Sequence, residues 1–223
     1  MLLMSMFTMV IIIAQTRIAI NGVQYTLSGA YASVYRLELG NAATTITIPS
    51  SIEYNGNTYI VNYVGNEAFN AKYTENRNVS NIVLPNTIKG IGSYAFANIV
   101  SNNSTRYENK IQSVILEEGI TRIGSHAFDN STISNVKLTK GIKEIGDYAF
   151  ANTSISSMEL ADGVEYIGDY AFANSSISNL RLVEGINYIG KGAFINTRIT
   201  SLVVPSTIRG FYYIAILSYF LII

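Results

Sequence analysis

The chain has 223 residues, and its fifteen basic and fifteen acidic side chains cancel. A neutral chain without a basic run carries no electrostatic footprint for nucleic acid. It has no cysteine and a single histidine, His126, which excludes disulfides and thiolate chemistry and leaves no zinc-ligand spacing.

Both ends are apolar. "MLLMSMFTMVIIIA", Met1 to Ala14, has the length and apolarity of the central region of a signal peptide. No Lys or Arg precedes it, and Ile12 stands two residues before the small Ala14. It falls short of the ~20 apolar residues of a membrane span. Residues 1–20 are therefore expected to be a signal peptide. A start codon placed too early and a buried N-terminal segment are the alternatives.

Residues 21–45 read as an N-terminal β cap. "VQYTL" (23–27) and "VYRLEL" (34–39) alternate apolar and polar residues around "SGAYAS", the pattern of a hairpin. A second hairpin is expected in "EYNGNTYIV" (53–61), because Asn55-Gly56 suits a tight two-residue turn.

From residue 46 to 208 the chain repeats itself. "IGDYAFANTSIS" (145–156) returns as "IGDYAFANSSIS" (167–178). Phe128, Phe150, Phe172 and Phe194 are each 22 residues apart, and Phe96 and Phe69 join the series after short insertions. A fixed period in the twenties is the mark of a solenoid, whose coils bury their apolar faces on one another. Each period also predicts a short strand: "ITI" (46–48), "IVL" (82–84), "VIL" (114–116), "VKL" (136–138), "MEL" (158–160), "LRL" (180–182) and "LVV" (202–204). Its outer residues should point inward and its middle residue outward. The predicted architecture is an α/β solenoid of about six to seven coils of 22 residues, with one parallel sheet of short strands and a β-hairpin cap. Glycines such as Gly146 and Gly168 are expected to permit a tight bend. Asn130, Asn152, Asn174 and Asn196 are expected to bond the backbone of the turns.

The unit L-x-x-G-I-x-x-I-G-x-x-A-F-x-N resembles the BspA-type leucine-rich repeat, and the joints "IPSSI" (48–52), "LPNTI" (84–88) and "VPSTI" (204–208) resemble that family's strand-to-turn step. The resemblance covers residues 21–208. Two departures stand out: Ser131, Thr153, Ser175 and Thr197 replace a frequent Cys, and the repeat is one residue shorter than is common. The resemblance implies a leucine-rich repeat fold and a protein secreted or held at the cell surface of a host-associated microbe. Several such proteins bind host matrix proteins or other cells, so it implies an extracellular protein or glycan ligand and adhesion.

Lys137, Glu159 and Arg181 take the outward middle position of successive strands, with Asn135 and Asn179 beside them. One reading is a recognition surface along the strand face, with the apolar Ile115 and Val203 toward its ends. The other is a cross-strand charge ladder that contributes only to stability. Tyr94, His126, Tyr148 and Tyr170 recur before Ala-Phe and are expected to form a packing ladder, with His126 standing in for Tyr. Asp147 and Asp169 supply one carboxylate per coil, too few to hold a metal. No nucleophile elbow, phosphate loop or triad is present, so no enzymatic activity and no cofactor are expected.

After "VPSTI" the repeat stops, and "FYYIAILSYFLII" (211–223) follows. For the apolar tail, residues 209–223, three readings compete: a cap folded over the last coil, a membrane contact too short to be a span, or a broken reading frame.

Overall fold

The computed structural model describes residues 15–37, 44–70, 79–98, 110–160, 162–211 and 221–222. Strands β1 (Thr16–Ile20), β2 (Val23–Ser28) and β3 (Tyr31–Leu37) form an antiparallel meander. The first expected hairpin is β2 and β3; Glu38 and Leu39 lie outside the described residues. The sheet begins at Thr16, inside the stretch assigned to the signal peptide. The second expected hairpin pairs β5 (Ser51–Tyr54) with β6 (Asn57–Val64). Asn55 and Gly56 both have positive φ, 50° and 75°, as the turn that matches strand twist requires.

β6 also runs parallel to β3 and opens a ladder of two-residue strands. These are β8 (Gly90–Ile91), β10 (Arg122–Ile123), β12 (Glu144–Ile145), β14 (Tyr166–Ile167), β16 (Tyr188–Ile189) and β18 (Gly210–Phe211). Each pairs in parallel with the next without a break. The repeat glycine closes each rung: Gly146 N–H donates to Ile123 O at 2.9 Å and Gly168 N–H to Ile145 O at 2.8 Å.

On the other side of each repeat lie the strands expected from the tripeptides. β4 (Thr45–Thr47), β7 (Asn81–Leu84), β9 (Ser113–Leu116) and β11 (Asn135–Val136) form one parallel sheet. β13 (Ser157–Glu159) and β15 (Asn179–Arg181) form a second. β17 (Ser201–Leu202) pairs with β19 (Leu221–Ile222). This strand face is thus parted twice, while the ladder opposite is continuous.

No helix occurs among the described residues, so the helical half of the expected α/β architecture is replaced by turns and short strands. The reason lies in the backbone of I-G-x-x-A-F-x-N. Tyr148 and Asn152 both have φ of 56°, and the equivalent residues of neighbouring repeats share that conformation. Left-handed residues four apart break any helical run, at about 1–2 kcal/mol each for an ordinary side chain.

The core is a column. Phe69, Phe96, Phe128, Phe150, Phe172 and Phe194 are fully buried and stack face to face with ring centroids 4.9–5.6 Å apart. The Ile before each glycine, Val64 in the first repeat, and the Ala before each Phe are also fully buried. Burial of each Phe contributes about 2–3 kcal/mol. Gly168 is needed for space and not for a left-handed φ. A Cβ there would stand 2.6 Å from Asp147 N and 2.7 Å from Gly146 C, so close approach of the neighbouring backbone is what requires glycine. The positive-φ glycines of these repeats are Gly119, Gly141, Gly163 and Gly185, at φ 125°, 106°, 104° and 101°, and Gly192, at φ 61°.

Candidate functional site

The alternation expected of the strands is present. Val114, Leu116, Met158, Leu160, Leu180 and Leu182 are buried, while Ile115, Lys137, Glu159 and Arg181 between them are exposed. Ile115 keeps 49% of its surface and Val203 69%, more than packed hydrophobics retain, so both lie on the open face. Glu159 is directly opposite Arg181 in register. Asn135 heads β11 opposite Ser113; its side chain lies outside the described residues.

Between β11 and β13 the strand face opens into a groove of about 840 Å³. Its rim carries Lys137, Lys140, Glu159, Asp162, Arg181 and Glu118, with Asn179 beside them. Its floor is apolar, from Val136, Leu138, Met158 and Leu160. Six of the seven residues singled out from the sequence have defined side chains on the strand face: Lys137, Glu159, Asn179 and Arg181 line the groove, and Ile115 and Val203 lie outside it. Lys140, Asp162 and Glu118 were not singled out. The signal for them was their shared position, three residues after the outward strand residue in each repeat.

The charges on this face are not spent on one another. Among the described residues no ion pair joins Lys137, Glu159 and Arg181. The cross-repeat ion pairs sit instead on the unbroken ladder, Arg122 to Glu144 at 3.0 Å and Lys143 to Glu165 at 2.6 Å. The backbone is also open at the groove. Ser134 N–H donates to Gln112 O at 3.2 Å and Ser178 N–H to Ser156 O at 3.0 Å. The equivalent N–H of Ser156 has no such cross-repeat bond to the preceding repeat among the described residues.

The aromatic stripe is a packing ladder, as expected. Tyr94, His126, Tyr148 and Tyr170 stack with centroids 4.5, 4.7 and 5.0 Å apart. The inner rings, His126 and Tyr148, are covered on both faces by their neighbours, which leaves little there for a ligand to stack upon. His126 Nδ1 also lies 2.8 Å from Asp129 Oδ2. Burial raises the Tyr148 hydroxyl above its usual pKa, and Tyr170, Asp169, Asp129 and Asp147 add to the shift. Tyr166 is raised by burial and then by Asp147, Tyr188, Asp169 and Glu144.

The asparagines do something other than bond the turn backbone. Asn196 Nδ2 donates to Asn174 Oδ1 at 2.9 Å, Asn174 Nδ2 to Asn152 Oδ1 at 3.0 Å, and Asn152 Nδ2 to Asp129 Oδ1 at 2.9 Å. Asp147 and Asp169 each accept the backbone N–H one repeat further on, from Asp169 and Lys191 at 2.9 and 2.8 Å. No cluster of three or more potential metal ligands occurs among the described residues, and they include no helix long and apolar enough to cross a membrane.

Among solved structures, the pneumococcal vaccine antigen PcpA is similar over 90% of this chain and 67% of its own, at 17% identity and a TM-score of 0.57. A leucine-rich repeat protein from Bacteroides ovatus is 21% identical over 86% of this chain, with a TM-score of 0.43; this chain spans only 61% of that protein. A leucine rich cell surface protein from Faecalibacterium prausnitzii is 15% identical over 88% of this chain and 72% of its own, with a TM-score of 0.36. No curated protein matches the sequence. The family model for the BspA type leucine rich repeat region matches in six copies, over residues 62–114 and 100–216. With more than half of its length so matched, and parallel strands stacked at the repeat period, the chain belongs to the BspA-type leucine-rich repeat family.

Proposed function

We propose that this protein is a secreted or cell-surface binding protein, a capped solenoid of about six to seven coils whose strand face takes up host or matrix macromolecules in adhesion. The observation that carries this reading is the groove on the strand face. It combines an apolar floor with lysine, arginine and carboxylate groups that form no ion pairs with one another. Such a floor and rim are the parts of a protein-binding surface. Family membership and the description of the Faecalibacterium protein as a cell surface protein support an extracellular setting. Export with cleavage after Ala14 would leave β1 whole.

The test is binding of the full chain to an array of matrix proteins, glycans and whole cells, beside the double variant Lys137→Glu, Arg181→Glu. The expected result is saturable binding to one target, lost in the variant. Binding that survives the variant moves the site off the strand face. A folded protein that binds nothing favours a second reading, a structural spacer or a fragment of a larger surface protein. The span of only 61% of the Bacteroides ovatus protein is the observation that favours it.

A further inference from the structure

The charges of the strand face are arranged in bands, one band per repeat. Glu117 and Glu118 follow β9, Lys137 and Lys140 follow β11, Glu159 and Asp162 belong to the next repeat, and Arg181 to the one after. All seven side chains are exposed. The sequence of signs along the array is negative, positive, negative, and then mixed. Glu184, in the same repeat as Arg181, is exposed and keeps its charge, its carboxylate accepting from the neutral Ser206 N–H and Oγ–H at 3.4 and 3.3 Å.

Reversal of this order exchanges the signs of the two central bands. A two-fold axis lying in the face, along the strands and through the gap between β11 and β13, therefore opposes each central band with its counter-charge. We propose that the strand face binds a second copy of this chain, antiparallel, about that axis. In this arrangement Lys137 faces Glu159 of the second copy and Lys140 faces Asp162. Two-fold symmetry makes each pair twice, giving four charge pairs around the groove. Farther out, Ile115 lies along the aliphatic stem of Arg181, and Val83 meets Val203, which is 69% exposed in the single chain. The apolar floor of the groove lies at the dyad, where both copies cover it.

The inference rests on the reading above, that the strand face is a recognition surface, and names one partner for it. The same pairing can join two copies on one surface or on two facing surfaces. A single chain does not use these charges internally, since its cross-repeat ion pairs lie on the opposite ladder. Self-complementarity of the bands is what an isologous contact requires and what an unrelated ligand does not.

The experiment is sedimentation velocity of the full chain and of two variants, with circular dichroism to check folding. The first variant, Lys137→Glu with Lys140→Glu, makes both central bands negative. The second, Glu159→Lys with Asp162→Lys, makes both positive. The wild type is expected to dimerise, more weakly as salt is raised. Either variant alone should self-associate about 100-fold more weakly, because like charges then face each other. An equimolar mixture of the two should dimerise again, a rescue that repair within one chain cannot produce.

A wild type that stays monomeric overturns the inference. So does a dimer unaffected by either variant, or a mixture of folded variants that remains monomeric. If a variant fails to fold, zero-length carbodiimide cross-linking of the wild type, mixed from two isotopically labelled pools, takes its place. Links between copies from Lys137 or Lys140 to Glu159 or Asp162 support the contact; their absence refutes it. The outcomes separate from those of the array. A monomer that binds a matrix target overturns this inference and leaves the adhesion reading standing. A dimer that binds no target does the reverse.

Discussion

Asn174 occupies a left-handed backbone position, φ 55°, and links two neighbours through its amide. These two roles can be separated by substitution. Asn174→Gly keeps the backbone conformation and loses the amide bonds, so it should cost about 1 kcal/mol. Asn174→Ala loses the bonds and adds strain, so it should cost about 1 kcal/mol more. Denaturant unfolding measures both, and equal costs would refute the strain argument. Tyr25 gives a prediction in pH. Burial pushes its hydroxyl up to about 12 from the usual 10.0. Above pH 10 the unfolded chain releases this proton while the folded chain keeps it, so the unfolded state binds fewer protons and stability falls as pH rises from 10 to 12. The loss reaches about 2–3 kcal/mol at the upper end. Tyr148 and Tyr166 shift in the same direction. Tyr25→Phe should lessen the alkaline loss, and an unchanged profile would contradict the assignment.

The short strands are the elements that determine what the molecule can present. Their expected places agree closely with those observed: "VIL" (114–116) with Ser113–Leu116, and "MEL" (158–160) with Ser157–Glu159. They were legible from their place in the 22-residue period, and in "VKL", "MEL" and "LRL" also because a polar residue between two apolar ones marks a half-buried strand. The opposite ladder was not legible. A strand of two residues, such as Glu144–Ile145, is too short to show alternation. Nor was the conformation of Tyr148, since an aromatic residue seldom takes a left-handed backbone; its stacking between His126 and Tyr170 offsets that strain. The Phe column is where cooperativity between repeats resides. Phe150 stacks on both Phe128 and Phe172, so Phe150→Ala should destabilise the chain by about 3–5 kcal/mol. Thermal unfolding tests this, and a loss below about 1 kcal/mol would show that the column is not the core.

At the scale of the whole molecule, two ladders hold the same repeats and differ in continuity. The one through Ile145 and Ile167 is unbroken, and it carries the cross-repeat ion pairs. The strand face is parted, and its charges stay available to a partner. The charged residues were visible in the sequence, but the parting was not, because it depends on which neighbouring strands pair. Gly210–Phe211 and Leu221–Ile222, near the two ends of the apolar tail, pair with the last repeat on either side. The cap reading of the tail can be tested by its removal. Deletion of residues 209–223 should then expose strand edges and cause aggregation; a truncated chain that stays monomeric and equally stable would refute it.

The opening of the strand face underlies both the adhesion reading and the self-association, and amide hydrogen exchange at three equivalent serines tests it most directly. Among the described residues, Ser134 and Ser178 donate across repeats, and Ser156 does not. By NMR, the Ser156 amide should exchange much faster than those of Ser134 and Ser178. If Ser156 exchanges as slowly as the other two, the sheet is continuous there, and the groove on which the account rests does not exist.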